Sequence, residues 1–237
     1  MANQYFQFKE FIIQQDACGM KVTTDGCLFG AWAASLIQSI NPQQILDVGT
    51  GTGLLSLMLA QQTTATIDAV EIDEAAAVQA NQNVSSSKWK QQITVHQTNI
   101  LNYSSNIQYD FIVTNPPFFA NDLHSNDAKR NLAIHSSHLS LTELLNCINN
   151  LLSPKGFLAI LLPAARSDYF ESIANNFYIH QKVMVQQTNH HTAFRTMYLF
   201  SKNEAEHFLE ETIVIKNDDQ NYTADFIQLL KAYYLKL

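Results

Sequence analysis

The chain has 237 residues, 46% of them hydrophobic, which is enough for one α/β core and short for two. No apolar run approaches a membrane span and no charged-then-apolar leader precedes a cleavage site, so no membrane partner is expected. The net charge of −7 argues against a nucleic-acid partner, because such binding rests largely on phosphate neutralisation. The distribution of charge softens that argument. Residues 203–225 hold seven acids (Glu204, Glu206, Glu210, Glu211, Asp218, Asp219, Asp225) and one base, Lys216, leaving 13 bases against 14 acids elsewhere. A nearly neutral body can carry a basic face, with Lys9, Lys21, Lys88, Lys90, Lys129 and Arg130 as its candidates, although scattered solvated charges fit equally well. Three cysteines, Cys18, Cys27 and Cys147, are odd in number and without paired spacing, which suits reduced thiols in a cytoplasmic protein.

In chain order, a segment up to about residue 24 precedes a helix over 28–37. Strands are predicted near 45–48, 67–71, 93–96, 110–114, 157–162, 182–188 and 196–201. Helices fall between them near 54–61, 74–86, 139–152 and 167–177. This alternation implies a mostly parallel sheet with helices on both faces. Pro154-Lys155-Gly156 reads as a sharp turn into the fifth strand. The last two strands are too close for a crossover helix and should pair antiparallel. The polar stretch 119–138 is a candidate loop over a substrate.

The first strand ends in Asp47-Val48-Gly49-Thr50-Gly51-Thr52-Gly53, three of the seven glycines of the chain within five positions. A strand running through such a loop into a helix lets a ligand approach the backbone. The spacing is G-x-G-x-G, not the dinucleotide pattern G-x-G-x-x-G. Asp47 would repel a pyrophosphate and attract a cationic amino-acid or sulfonium group, which favours S-adenosylmethionine over NAD. Glu71, closing the second strand, can accept from both ribose hydroxyls of a nucleoside, and Asn99, after the third, can meet an adenine edge. Each alone could be a solvated loop residue.

Asn115-Pro116-Pro117-Phe118 follows the apolar run Phe111-Ile112-Val113. Two prolines there can neither extend a strand nor open a helix, so the turn is stiff and extended. It presents a carboxamide, bare carbonyls and an aromatic face, a set suited to gripping a planar group that bears an –NH2. The Asn115 side-chain oxygen and the Pro116 carbonyl can each accept one N–H while Phe118 stacks on the plane. An ordinary Pro-Pro turn would look the same locally.

The two motifs together, in this order and spacing, resemble class I methyltransferases that methylate exocyclic or amide nitrogens. The stretch Phe8-Lys9-Glu10-Phe11 … Gln15-Asp16-x-Cys18-x-Met20-Lys21-Val22-x-Thr24-Asp25-Gly26-x-Leu28-x-Gly30-Ala31-Trp32 is similar to the bacterial family that N6-methylates the adenine just 3′ of the anticodon in a valine tRNA. Asp127-Ala128-Lys129-Arg130-Asn131-Leu132-Ala133-Ile134-His135 and the closing Tyr222-Thr223-Ala224-Asp225-Phe226 … Tyr233-Tyr234-Leu235-Lys236 extend the likeness over nearly the whole chain.

The resemblance implies a Rossmann-like seven-stranded sheet with its last strand antiparallel, in one domain over 1–237 with 1–24 as an extension. It implies S-adenosyl-L-methionine as cofactor, held by Asp47, Gly49, Gly51, Gly53, Glu71 and Asn99 with Lys21 and Asp25 nearby. Asn115, Pro116, Pro117 and Phe118 would be catalytic, and Phe118, Phe119, Lys129 and Arg130 would touch a tRNA anticodon loop. An unpaired loop base leaves its stack at modest cost.

His135 and His138, or His190-His191, have no clear third ligand, and the reaction needs no metal, so none is expected. Trp32 and Trp89 read as packing residues. A protein-glutamine N5-methyltransferase, an rRNA methyltransferase and a non-catalytic or NAD-dependent nucleoside binder remain open as alternatives.

Overall fold

The structure is a computed structural model and describes residues 3–18, 20–117 and 139–237. The loop reading of 119–138, with Phe118, Phe119, Lys129, Arg130, His135 and His138, falls outside these residues.

The chain opens with a hairpin, β1 (Tyr5–Gln7) and β2 (Ile12–Gln14), and then helix α1 (Thr24–Ile40). Strand β3 (Gln44–Val48), helix α2 (Leu54–Ala60), β4 (Thr66–Glu71), α3 (Glu74–Ser85), β5 (Ile93–Gln97) and β6 (Tyr109–Thr114) follow. After them come α4 (Leu141–Leu151), β7 (Leu152–Pro163), α5 (Ser167–Ile173), β8 (Tyr178–Gln186), β9 (Arg195–Ser201), β10 (Leu209–Val214) and α6 (Ala224–Leu230).

Eight strands form one sheet in the order β10-β8-β9-β7-β6-β3-β4-β5. The seven predicted strands all form. The last of them, β9, lies antiparallel to both β7 and β8, while every other pairing is parallel. The eighth strand was not predicted. β10 lies at the sheet edge with its first four residues exposed, Glu210 and Glu211 among them. An edge strand of that kind has no apolar alternation to find, and its charges discourage pairing with another chain. Part of the acidic 203–225 segment is thereby explained.

Strand residues alternate between two buried clusters, one on each face of the sheet. Ile45, Ile67, Phe111, Val113 and Leu161 point into the first; Leu46, Val70, Ile112, Leu158 and Ile160 point into the second. The N-terminal segment packs on the first cluster: Phe8, Phe11 and Ile13 are buried, and Phe8 stacks on Phe11 with ring centroids 4.5 Å apart. It also meets the chain's other end, where the Lys9 amide donates to the Tyr233 carbonyl over 2.8 Å. Trp32 is buried in the same cluster and Trp89 packs edge-on against Phe11.

Two local readings are corrected. Helix α1 starts at Thr24, not 28, because the Thr23 side chain caps it by accepting the Gly26 amide. Gly26 and Gly30 both lie inside this helix. At Gly30 the reason is packing: a Cβ there would lie 2.5 Å from Met58 Sδ of α2. The Pro154-Lys155-Gly156 turn is also absorbed into β7, which begins at Leu152 and slips register against β6 between Tyr109 and Phe111. Gly156 permits this, since a Cβ would stand 2.8 Å from the Tyr109 carbonyl.

Candidate active site

The order of strands reverses around β3, which has β4 on one side and β6 on the other. In open α/β sheets this switch point leaves a crevice at the carboxyl ends of the strands. Asp47, Glu71 and Asn115 all stand at those ends.

Gly49, Gly51 and Gly53 have φ of +73°, +56° and +82°, a conformation that costs other residues about 1–2 kcal/mol. The loop is held from outside itself. The Gly49 and Thr50 amides donate to the Val70 carbonyl at 2.8 and 3.1 Å, and the Gly51 amide donates to Glu71 Oε2 at 2.8 Å. A Cβ built on Gly49 or Gly51 meets nothing within 4 Å, whereas one on Gly53 would touch Ala80 of α3 at 3.6 Å. The first two glycines therefore border open space and the third is a packing glycine. Gly51→Val is expected to lower stability by about 1–2 kcal/mol and to abolish nucleoside binding by filling that space. Thermal denaturation and calorimetry with S-adenosylhomocysteine would check both effects.

Asp47 is fully buried. Its Oδ2 accepts from Thr50 Oγ1 at 2.6 Å, Ser56 Oγ at 2.7 Å and the Ser56 amide at 3.1 Å. Burial nevertheless pushes its pKa up to about 6, against those three hydrogen bonds and with a smaller push from Glu71. Its Oδ1 is buried with no partner among the described residues. A buried carboxylate oxygen left unpaired is costly, so the site suits a ligand bringing a cationic donor. With the open glycine cradle, the residues fit the amino-acid part and nucleoside of S-adenosylmethionine.

Glu71, which is 9% exposed, braces the loop through Gly51 and accepts the Asp73 amide on Oε1 at 2.9 Å. Each oxygen keeps acceptor capacity for a ribose hydroxyl. Asn99 caps a short 3-10 turn by accepting the Leu101 amide over 2.9 Å. That fixes the orientation of its carboxamide at the end of β5.

At the end of β6, Thr114 Oγ1 donates to the Val48 carbonyl at 2.9 Å, which ties this strand end to that of β3. The next residue, Asn115, is half-buried, Pro116 is buried and Pro117 exposed. Asn115 Oδ1 is buried and lacks a partner among the described residues. It is an acceptor held ready. The start of α1 packs against this side chain, with a Cβ on Gly26 lying 4.0 Å from Asn115 Nδ2.

Asp25 and Lys21 were expected near the cofactor. Asp25 pairs with Arg195 Nε of β9 at 2.7 Å, and exposed Lys21 donates to the Asn3 carbonyl at 3.2 Å. Arg195 was missed because nothing local marks it; only the fold brings residue 195 to residue 25. Among the proposed basic-face residues, Lys9 donates to the Lys231 carbonyl and Lys88 pairs with Glu10. His190 faces Asp218 and His191 bonds Thr188.

Comparison with known proteins places the fold and the family. Residues 32–184 match the family model described as Methyltransferase small domain. Solved structures share the fold: a predicted O-methyltransferase from Agrobacterium tumefaciens (TM-score 0.65, 11% identity, 86% of this chain and 95% of that one). A Listeria monocytogenes protein described as a "putative class I S-adenosylmethionine-dependent methyltransferase" aligns with TM-score 0.60 and 15% identity, over 84% of this chain and 67% of that one. The fold and the family model thus define a class I S-adenosylmethionine-dependent methyltransferase. Relatives named tRNA1(Val) (adenine(37)-N6)-methyltransferase align end to end. Those of Cytophaga hutchinsonii and Parabacteroides distasonis are each 39% identical over 241 residues, all of both chains. The chain belongs to the tRNA1(Val) (adenine(37)-N6)-methyltransferase family.

Proposed function

We propose that this chain methylates the exocyclic N6 of adenine 37 in the anticodon loop of tRNA1(Val), in the cytoplasm, as a single domain over 1–237. The observation that carries the chemistry is the buried Asn115 Oδ1 at the end of β6, which has no partner among the described residues. The names of the full-length relatives support the choice of tRNA and base.

S-adenosylmethionine, when bound, supplies a methyl group on a positively charged sulfur. Asp47 Oδ1 would hold its cationic amino-acid end, Gly49, Gly51 and Gly53 would admit it against the backbone, and Glu71 and Asn99 would take the ribose and adenine. Asp25, through Arg195, and Lys21 would shape the approach beside the start of α1. Asn115 Oδ1 and the Pro116 carbonyl accept the two N6 hydrogens of the target adenine. That draws the nitrogen toward tetrahedral geometry and localises a lone pair otherwise spread into the ring. Once methylated, N6 would carry a positive charge and would shed a proton to water. Positioning carries the rate and no general base is required. Pro117 stiffens the turn, and Phe118, Phe119, Lys129 and Arg130 complete the reading as stacking and RNA contacts.

A tritiated-methyl transfer assay against total tRNA, ribosomal subunits and a release factor tests this directly. Label should enter tRNA alone, and nucleoside mass spectrometry should find it as N6-methyladenosine. Label in the release factor or the ribosomal subunits would overturn the assignment.

A further inference from the structure

Helix α3 buries two carboxamides that the methyl-transfer site does not use. Gln79 and Asn83 are each only 2% exposed and, four residues apart, share one helix face. Neither serves its own helix. Asn83 Oδ1 accepts the Gln14 amide at 2.9 Å, and its Nδ2 donates to the Gln14 carbonyl at 3.0 Å and the Thr52 carbonyl at 2.9 Å. Gln79 Oε1 accepts the Ala17 amide at 3.1 Å while its Nε2 donates to Asp16 Oδ1 at 2.6 Å. The same face meets Gly53 through Ala80.

One helix face therefore fastens two things at once, the N-terminal segment at 14–17 and the glycine loop at Thr52-Gly53. Asn83 is the residue that touches both. Thr52 lies between Gly51, whose amide is held by Glu71, and Gly53, which lies against Ala80. Fixing the Thr52 carbonyl fixes the remaining peptide of the cradle.

We infer that Asn83 is a positioning residue for the cofactor cradle, coupling the N-terminal segment to the glycine loop and so setting affinity for the nucleoside cofactor without taking part in methyl transfer. The inference rests on the methyltransferase reading of the site. Asn83→Asp keeps the size and the acceptor for Gln14, but turns a carboxylate oxygen toward two carbonyl oxygens. Asn83→Ala removes the donor without introducing that repulsion.

Calorimetry with S-adenosylhomocysteine and steady-state kinetics on tRNA read the outcome. Asn83→Asp should weaken product binding and raise the KM for the donor by about tenfold or more, with kcat at saturation within about threefold of the parent. Asn83→Ala should fall between parent and Asn83→Asp. The reverse order would mean that only the volume of the side chain matters, and would overturn the inference. Should Asn83→Asp not fold, Asn83→Ala decides alone: a raised KM with kcat kept supports the coupling, and an unchanged KM removes it. Failure of the parent protein to bind S-adenosylhomocysteine would instead strike the methyltransferase reading.

Discussion

Asn115→Ala is expected to lower turnover on tRNA by about two orders of magnitude or more, some 2.7 kcal/mol or more of transition-state stabilisation, with cofactor affinity nearly unchanged. The adenine amine is a poor nucleophile because its lone pair is delocalised, so an acceptor that draws its hydrogens out of the ring plane acts mainly in the transition state. Removing such a group lowers kcat and kcat/KM together. Asn115 Oδ1 is buried and unpaired among the described residues, so it forms no internal bond whose loss would loosen the fold. The melting temperature should accordingly hold or rise slightly. Single-turnover methyl transfer, with calorimetry on S-adenosylhomocysteine as control, separates the two effects. Parental turnover in the variant would end the proposed role.

Asp47 should show the opposite division, with binding lost and stability gained. Its pKa in the folded chain is raised from 3.8 to about 6 by burial. A raised carboxyl pKa means the folded state prefers the protonated form. The associated stability is present in full below about pH 4, is lost as the pH climbs through about 6, and is absent at neutral pH. Two pKa units correspond to about 3 kcal/mol. Asp47→Asn should therefore be more stable than the parent at pH 7 to 8, the advantage shrinking toward pH 4 in thermal melts. The same substitution should weaken S-adenosylhomocysteine binding by about tenfold or more, since the cationic amine loses its counter-charge. In the parent, affinity should fall by up to about tenfold for each pH unit below about 6, and the variant should show no such slope. A parent whose affinity is flat between pH 5 and 7 would contradict the role. The pattern expresses a familiar compromise, in which a residue kept for a ligand is a burden without it.

Glu71 shows why local patterning reaches only part of the way. Its place at the end of a strand was visible as an acid closing an apolar run. Its bond to the Gly51 amide was not, because the two residues are twenty apart and meet only when β3 and β4 pair. The same holds for Arg195 with Asp25, separated by 170 positions, and for Asn83 with Gln14 and Thr52. Nothing near Asn83 and Gln79 in the chain announces that their partners lie in a distant segment.

By itself the sequence determined the alternation of strands and helices, the glycine-rich bend after β3 and the proline-stiffened bend after β6, because each depends on the conformational limits of the residues in place. It also carried the likeness to a methyltransferase family. Tertiary structure alone decided which polar groups remain unpaired. Among the described residues Asp47 Oδ1 and Asn115 Oδ1 are left without partners by what surrounds them after folding, and hydrogen-bond satisfaction in a protein interior is settled by neighbours in space, not in sequence. The edge strand β10 was likewise decided only there, since a charged, solvent-facing strand gains its order from pairing with β8 and leaves no periodic trace of it.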